Sequence, residues 1–435
     1  MRKIPCFLLS ALLLSLPNPG EAGDTLPRAN AERMEGCILE LSAFGRNPQG
    51  GVSRLAFNEA DRDARAYIKG LMLQAGLEVR IDTAGNLIGR RAGSEELPPI
   101  LFGSHIDSVP GGGNYDGDVG VIAAIEAIQL LKEQAIETRH PLEVVVFADE
   151  EGGLSGSRAM VGKLNDEALA VVSHSGLTIA EGIRAIGGDP ERLAEAQRRP
   201  GDVAAFVELH IEQGAVLDDE EIDIGVVTGI VGIQWWDVEI EGVANHAGTT
   251  PMGKRRDPML AAAELTLAIN RVITGVPGRQ VGTVGRIAAE PGAPNVIPGR
   301  VVMSLEIRDL NEQKMFALFR EIEQEAAEIA ARRGTPIAFR HIEVDAEPAL
   351  TDERIRALIT QSAEELGLSY MSMPSGAGHD AQDLAQIAPT GMIFVPSVGG
   401  VSHSSFEYTP PRDMANGADV LLRTVLAIDA GALER

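Results

Sequence analysis

The chain has 435 residues, 44% of them hydrophobic and 4% aromatic, with 38 Lys and Arg against 63 Asp and Glu. That length implies two or three domain-sized units with enough apolar matter for a sizeable core. A net charge of −25 argues against nucleic acid or an anionic membrane surface as partner, because both are polyanions.

In chain order, the first element is a targeting segment. MRK is a short basic stretch, CFLLSALLLSL an apolar run of 11 residues, and PNPGEA supplies small residues at Gly20 and Ala22. The run is too short to cross a bilayer, which takes about 20 residues. The pattern predicts a signal peptide over 1–22, cut near Ala22, and an exported protein, periplasmic or secreted, with no membrane span after cleavage. Cys6 lies in that leader and leaves Cys37 alone, so no internal disulfide is expected.

Helical patterns follow over Ala29–Phe44 and Asn58–Ala75, then β-like runs LEVRID, NLIGRR and PILFGS. A helix is expected from Val119 to Glu133 and a strongly apolar strand, LEVVVFA, over Leu142–Ala148. Strands alternating with helices at this spacing predict an α/β sheet covered on both faces. Sites in such sheets gather at the carboxyl ends of strands, and His105 and Glu150 both sit just past such ends.

The middle of the chain changes character. WWDVEIEGV, VGTVGRIAA, VVMSLEIRDL and TPIAFRHIEV read as strands, with helices over Asp257–Ile273 and Glu312–Arg333. The order β-α-β-β-α-β is the split βαβ arrangement. It predicts a four-stranded unit over 229–346, inserted into a catalytic unit made of 23–228 and 347–435. Helix Asp352–Leu366, strand GMIFVP and a last helix from Arg412 complete the chain.

Eight histidines allow each to be weighed. His105, in GSHIDS, has Asp107 two residues on, where a carboxylate can orient a metal-binding imidazole. In AFVELHIEQG, Val207, Leu209 and Ile211 alternate with Glu208, His210 and Glu212, so His210 faces away from the apolar side. His403 lies in a Gly/Ser-rich loop after an apolar strand, where function often sits. His246 and His379 sit in glycine-containing loops without a neighbouring ligand pair; His140, His174 and His341 have no supporting context. FADEEGG puts Glu150 and Glu151 directly after the most apolar strand. Such a pair suits a division of labour, one carboxylate on a metal and its neighbour on protons. In GGGNYDGDVGVIAA, glycines let the backbone return Asp116 beside His105, where it can bridge two ions. A bridging carboxylate fits a two-metal hydrolase with ions about 3.5–4 Å apart. Imidazole and carboxylate ligands without thiolate suit zinc, and also manganese, cobalt or nickel.

GSHIDSVPGGGNYDG, FADEEG, ELHIEQG, NHAGTTPM, PNVIPG with EIRDL, and GAGHDA with SHSSFE occur in this order along the chain. The set resembles the metal-dependent amidohydrolases that cleave N-carbamoyl-L-amino acids, β-ureidopropionate or allantoate. These belong to the wider aminoacylase and carboxypeptidase group of di-zinc peptidases. The resemblance implies a di-zinc exopeptidase-like α/β catalytic domain with a mixed sheet covered by helices, plus an inserted ferredoxin-like (split βαβ) dimerisation lid. It implies two divalent ions, one on His105, Asp116 and His210, the other on Asp116, Glu151 and His403. Glu150 would be the general base. Gln213, Asn295 and Arg308 would bind substrate, together with His246 given by the partner subunit of a homodimer. His246 and Asn295 would donate to the carbonyl oxygen as it gains charge, and Arg308 would clamp a carboxylate. The histidine of HIEQG, where the general pattern has a carboxylate, points to the ureido-acid branch.

The expected substrate is therefore an N-carbamoyl-L-amino acid. Allantoate, then N-acyl amino acids or dipeptides, are the alternatives. EEGGLSGSR departs from the branch, which commonly continues EEG with an arginine- and phenylalanine-containing stretch, and this bears on the substrate pocket. A non-catalytic exported ligand-binding protein is the reading from another class. It is disfavoured because all five ligands and Glu150 are present. No G-x-S-x-G elbow and no His-Glu-x-x-His motif is present.

Overall fold

The computed structural model describes residues 26–342 and 346–434. The expected leader over 1–22 lies outside the described residues. Six strands come first: β1 (Glu78–Ile81), β2 (Leu87–Arg91), β3 (Ile100–His105), β4 (Leu142–Phe147), β5 (Ala205–Ile211) and β6 (Ile224–Ile230). Seven follow in the middle of the chain: β7 (Gly232–Glu241), β8 (Asn245–His246), β9 (Val281–Thr283), β10 (Ile287–Glu290), β11 (Val296–Ile297), β12 (Arg300–Asp309) and β13 (Ile337–Ile342). Three close the set: β14 (Ala349–Leu350), β15 (Tyr370–Ser375) and β16 (Thr390–Val395).

The first and last groups form one mixed nine-stranded sheet in the order β1-β2-β4-β3-β5-β16-β6-β14, with β15 beside β6. Its centre is parallel: β3 with β4, β3 with β5, and β16 with β5. All residues of β3, β4, β5 and β16 are buried, as parallel strands covered on both faces require. One face packs on helices Asp118–Glu133 and Pro411–Asp429 through residues such as Val144, Val207, Leu209 and Val395. The other face carries Val145, Phe147, Phe206 and Phe394. Because these four strands run in parallel, their carboxyl ends lie at one edge of the sheet, where sites form.

The alternation in β5 does not mark a solvent-facing side. Val207, Leu209 and Ile211 enter one core while Glu208 and His210 are equally buried on the other face. Glu208 accepts from Ser104 Oγ at 2.8 Å and Ala381 N at 2.9 Å, and Glu212 accepts from the amides of Val216 and Leu217.

The middle strands build a second sheet, β10-β12-β7-β13, with β9 also on β12. Helices Pro258–Gly275 and Glu312–Arg333 cover one face through a core that includes Trp236, Val238, Met303, Leu305, Leu265 and Leu318. Trp236 stacks on Phe319 with centroids 4.1 Å apart. The expectation of four strands is corrected here. VGTVGRIAA is two strands, β9 and β10, both paired to β12, so this sheet has five. Sequence reasoning also passed over β6 and β15. The short pair β8 and β11 lies apart and sets His246 opposite Val296. Between the two sheets, Gln382 donates its side-chain amide to both crossing chains, at Val231 O (3.4 Å) and Glu347 O (2.6 Å).

Candidate metal centre

The edge of the large sheet gathers residues far apart in sequence. His105 ends β3, His210 is the penultimate residue of β5, Glu150 and Glu151 begin the turn after β4, and His403 sits in the loop after β16. Asp116 comes from the glycine loop before helix Asp118–Glu133. Gly117 has φ +69, and a Cβ there would lie 2.5 Å from the His105 ring. Only glycine permits both that left-handed turn and the close passage of the imidazole. Glu407 fixes the same loop: its Oε1 accepts from Tyr115 N (2.8 Å) and Asp116 N (3.0 Å), its Oε2 from His403 N (3.2 Å).

Asp116 faces two ways. Its Oδ1 lies 3.1 Å from His210 Nε2 and 3.6 Å from His105 Nε2, its Oδ2 3.2 Å from His403 Nε2. His403 Nε2 is also 3.3 Å from Glu151 Oε1. The ligand atoms of His105, Asp116 and His210 lie within 4.8 Å of one another, and so do those of Asp116, Glu151 and His403. Glu150 Oε2 is 3.6 Å from His105 Nε2.

The ring orientations say what this cluster accepts. His105 Nδ1 meets Asp107 O at 3.0 Å and His210 Nδ1 meets Ile211 O at 2.9 Å. Carbonyl oxygens only accept, so each ring carries a proton on Nδ1, and once the inner proton is off it turns a lone pair inward on Nε2. These two Nε2 atoms are 3.4 Å apart. Two lone pairs and a carboxylate oxygen aimed at one point repel each other unless a cation sits among them. Glu151 Oε1 is buried and has no hydrogen-bond donor among the described residues. The donor set therefore fits divalent metal on both sides of Asp116.

The electrostatics of the metal-free protein agree. Burial alone would discharge His105, but Glu150, Asp116 and Asp107 overrule it and hold its pKa well above the usual value. Burial likewise opposes charge on Asp116, yet His210, His105 and His403 keep it well below the carboxylate range. Burial pushes Glu150 well upward despite His105, and pushes Glu151 to about 7 with help from Asp116. Hydrogen bonding to Asp116 raises His403 to about 9.

Asp107 does something other than its spacing suggested. β3 ends at His105, so the strand rule does not reach it, and His105 takes the backbone oxygen of Asp107 while the carboxylate stays 3.7 Å away. That carboxylate accepts from Glu150 N at 3.2 Å and Glu151 N at 3.1 Å, pinning the turn that presents both glutamates. Asp149, Gln213 and His403 all hold positive φ (59°, 59° and 52°), which is costly for residues with a side chain and clusters at functional sites.

Gln213 reaches the centre, its Nε2 donating to Asp116 Oδ2 at 2.6 Å. His246 and Asn295 stand elsewhere: His246 ends β8 and Asn295 immediately precedes β11, where Ala247 N donates to Asn295 O. His246 is exposed, and its Nδ1 accepts from Gly248 N (3.0 Å) and Thr249 N (3.3 Å), which leaves the ring proton on Nε2. Arg308 projects from β12 with Nε and Nη2 on Glu306 and Nη1 on Gly376 O at 2.8 Å. In the departing segment, Ser155, Gly156 and Ser157 turn into the interior, while Gly152 and Gly153 stay exposed beside the glutamates.

Sequence reasoning passed over Glu407 and Ser402, and weighed His379 without giving it a role. Ser402 Oγ donates to Asp116 Oδ2 at 3.0 Å. His379 is buried with its ring 4.5 Å from that of His210, and burial keeps it neutral. Their only sequence signal was position in glycine- and serine-rich loops.

The profile of Peptidase family M20/M25/M40 matches residues 101–427. The chain belongs to this family. The family is metal-dependent, and the donor set fits that. An N-carbamoyl-L-amino acid amidohydrolase of Geobacillus stearothermophilus is 43% identical over 406 residues, 92% of this chain and 99% of its own. An allantoate amidohydrolase of Bacillus subtilis is 37% identical, over 88% of this chain and 93% of its own. The crystal structure of a hydantoinase/carbamoylase family amidase from Burkholderia ambifaria aligns with a TM-score of 0.86 at 35% identity, covering 92% of this chain and 98% of that one.

Proposed function

We infer that the protein is a metal-dependent amidohydrolase that cleaves the ureido C–N bond of N-carbamoyl-L-amino acids. The observation that carries this is Asp116 between two donor groups, with Glu150 3.6 Å from His105 at their rim. His105, Asp116 and His210 would hold one divalent ion, and Asp116, Glu151 and His403 a second. Zinc, manganese, cobalt or nickel suits both sets. When bound, the ions supply Lewis acidity toward the carbonyl and acidify water.

Glu150 takes the proton of the attacking water and passes it to the leaving nitrogen; its buried position, which raises its proton affinity, supports that role. The released carbamate falls to ammonia and carbon dioxide, so the products are the amino acid, ammonia and carbon dioxide. Arg308 holds the substrate carboxylate, and Gln213 binds substrate from the rim of the metal centre. Arg308 has five N–H groups. Its bonds to Glu306 and Gly376 use three, which leaves one on each terminal nitrogen for a carboxylate. Asn295 and His246 of the partner subunit donate to the carbonyl oxygen. The exposure of His246 and its proton on Nε2 support that donation, whose delivery takes a homodimer closed through the second sheet's unit. The leader pattern supports an exported enzyme. Allantoate is the second reading, supported by the relative from Bacillus subtilis.

Ammonia release from metal-loaded protein tests the assignment, with N-carbamoyl-L-amino acids and allantoate side by side and N-acetyl amino acids scored by free amine. Ammonia from N-carbamoyl-L-amino acids is the expected result. Ammonia from allantoate alone selects the second reading, and free amine alone moves the protein to the aminoacylase side.

A further inference from the structure

One face of the second sheet carries no helix among the described residues. Across it, Ile342 of β13, Trp235 of β7, Glu306 of β12 and Thr283 of β9 lie in one register row. Arg308 follows Glu306 by two residues, so it projects from the same face, about 7 Å further along the strand. Beside it is a hollow of ≈ 420 Å³ whose walls include Trp235, Asp237, Arg286, Ser304, Glu306 and Ile342.

The charges of this hollow satisfy one another. Asp237 is paired with Arg286 at 2.6 Å and also with Arg340. Glu306 accepts from Arg308 Nε at 2.8 Å, from Arg308 Nη2 at 3.2 Å and from the indole N–H of Trp235. Neither acid is left to attract a basic substituent, and the indole has spent its only donor. What remains open is apolar, the indole ring of Trp235 with Ile342 beside it. The WW pair divides accordingly: Trp236 is 2% exposed and stacked in the core, whereas Trp235 is 40% exposed on the open face.

We propose that this hollow is the subsite for the side chain of the substrate, and that it takes a large apolar group, aromatic by preference, packed on Trp235. The inference rests on the ureido-acid reading above. Its geometric link is Arg308. A substrate whose carboxylate is held by the terminal nitrogens of Arg308 lies within one register row of the Trp235 ring. Glu306 serves as a positioning residue between them, since its two oxygens hold the guanidinium and its Oε2 also receives the indole N–H. An aromatic side chain then buries apolar area and stacks on the ring, while a glycine derivative leaves the hollow to water.

The test compares kcat/KM for N-carbamoyl-L-phenylalanine and N-carbamoylglycine in metal-loaded full-length protein, in the wild type, Trp235→Ala and Trp235→Phe. The ratio of the two values is expected to fall by about 10-fold or more in Trp235→Ala, chiefly through KM, and to be largely restored in Trp235→Phe. An unchanged ratio overturns the subsite. A parallel loss on both compounds with dissociation of the dimer in light scattering also overturns it, and assigns the face to a second copy of the chain. A wild type that turns over neither compound refutes the ureido-acid reading itself. The subsite is then read by calorimetric titration of N-acetyl-L-phenylalanine against N-acetylglycine, where equal affinities, or a preference untouched by Trp235→Ala, would reject it.

Discussion

Replacing Asp107 by asparagine isolates the tether that presents both glutamates. The buried carboxylate uses one oxygen for Glu150 N and the other for Glu151 N, at 3.2 and 3.1 Å. The asparagine would keep the backbone oxygen that receives His105 Nδ1, so the histidine is spared. It would keep one side-chain acceptor and turn an NH₂ toward the remaining backbone N–H. One charge-assisted hydrogen bond is lost and a donor is left facing a donor. A hydrogen bond to a charged group contributes about 1.5–3 kcal/mol, which is a factor of about 10–150 in an equilibrium constant. Partners behind metal ligands typically change affinity by about 10–100-fold when mutated, in the same range. Of the two glutamates on the tether only Glu151 is a ligand, so the group of Asp116, Glu151 and His403 is expected to bind metal more weakly than that of His105, Asp116 and His210. Titration of metal-stripped protein, followed by calorimetry and by activity against buffered free metal, separates the two groups. Affinities and kcat within about twofold of wild type, well short of that range, would refute the tether. Equal weakening of both groups would show that Asp107 acts through His105 instead.

Glu150→Gln should keep its metal and lose about 10²–10⁴ in turnover; wild-type rates with full metal occupancy would remove Glu150 as the base. His246→Ala should lower kcat, and mixed dimers with Arg308→Ala should recover part of the activity, because one of the two sites then has both residues. No recovery in dimers verified as mixed would count against sharing between subunits. Metal loading should release protons near pH 7. His105, His210 and His403 have pKa values raised above 6.5 in the metal-free protein, against burial in each, with His403 at about 9. Protons on Nε2 must leave before metal binds, so apparent affinity should climb as pH rises toward 9. Calorimetry in two buffers of different ionisation enthalpy reads the protons released, and identical heats would contradict the assigned protonation.

Glu312–Arg333 is a helix with the ends read from sequence, and β4 is the buried strand that LEVVVFA described. Both signals are local: a 3.6-residue period or an unbroken apolar run states how much of the element meets the core. The reading failed where a partner strand decided the outcome. VGTVGRIAA has one pattern but bends into β9 and β10. In β5 the alternation set His210 opposite the apolar side, where it stands, but did not tell that this side is buried as well.

The chemistry of the centre was written in residue types: imidazoles and carboxylates without thiolate, a Glu-Glu pair after the most apolar strand, and an aspartate freed by glycine. Motifs in order then tied them to one family. Only the tertiary structure decided which atoms meet. Asp116 and His403 stand in distant parts of the chain, and no local period records that separation. Four parallel strands with a common edge bring them within 3.2 Å. The same holds for Glu407 beneath the Asp116 loop, for Asp107 as anchor of the glutamate turn, and for Trp235 beside Arg308. Each role depends on a partner from another element, and packing, not local propensity, supplies that partner.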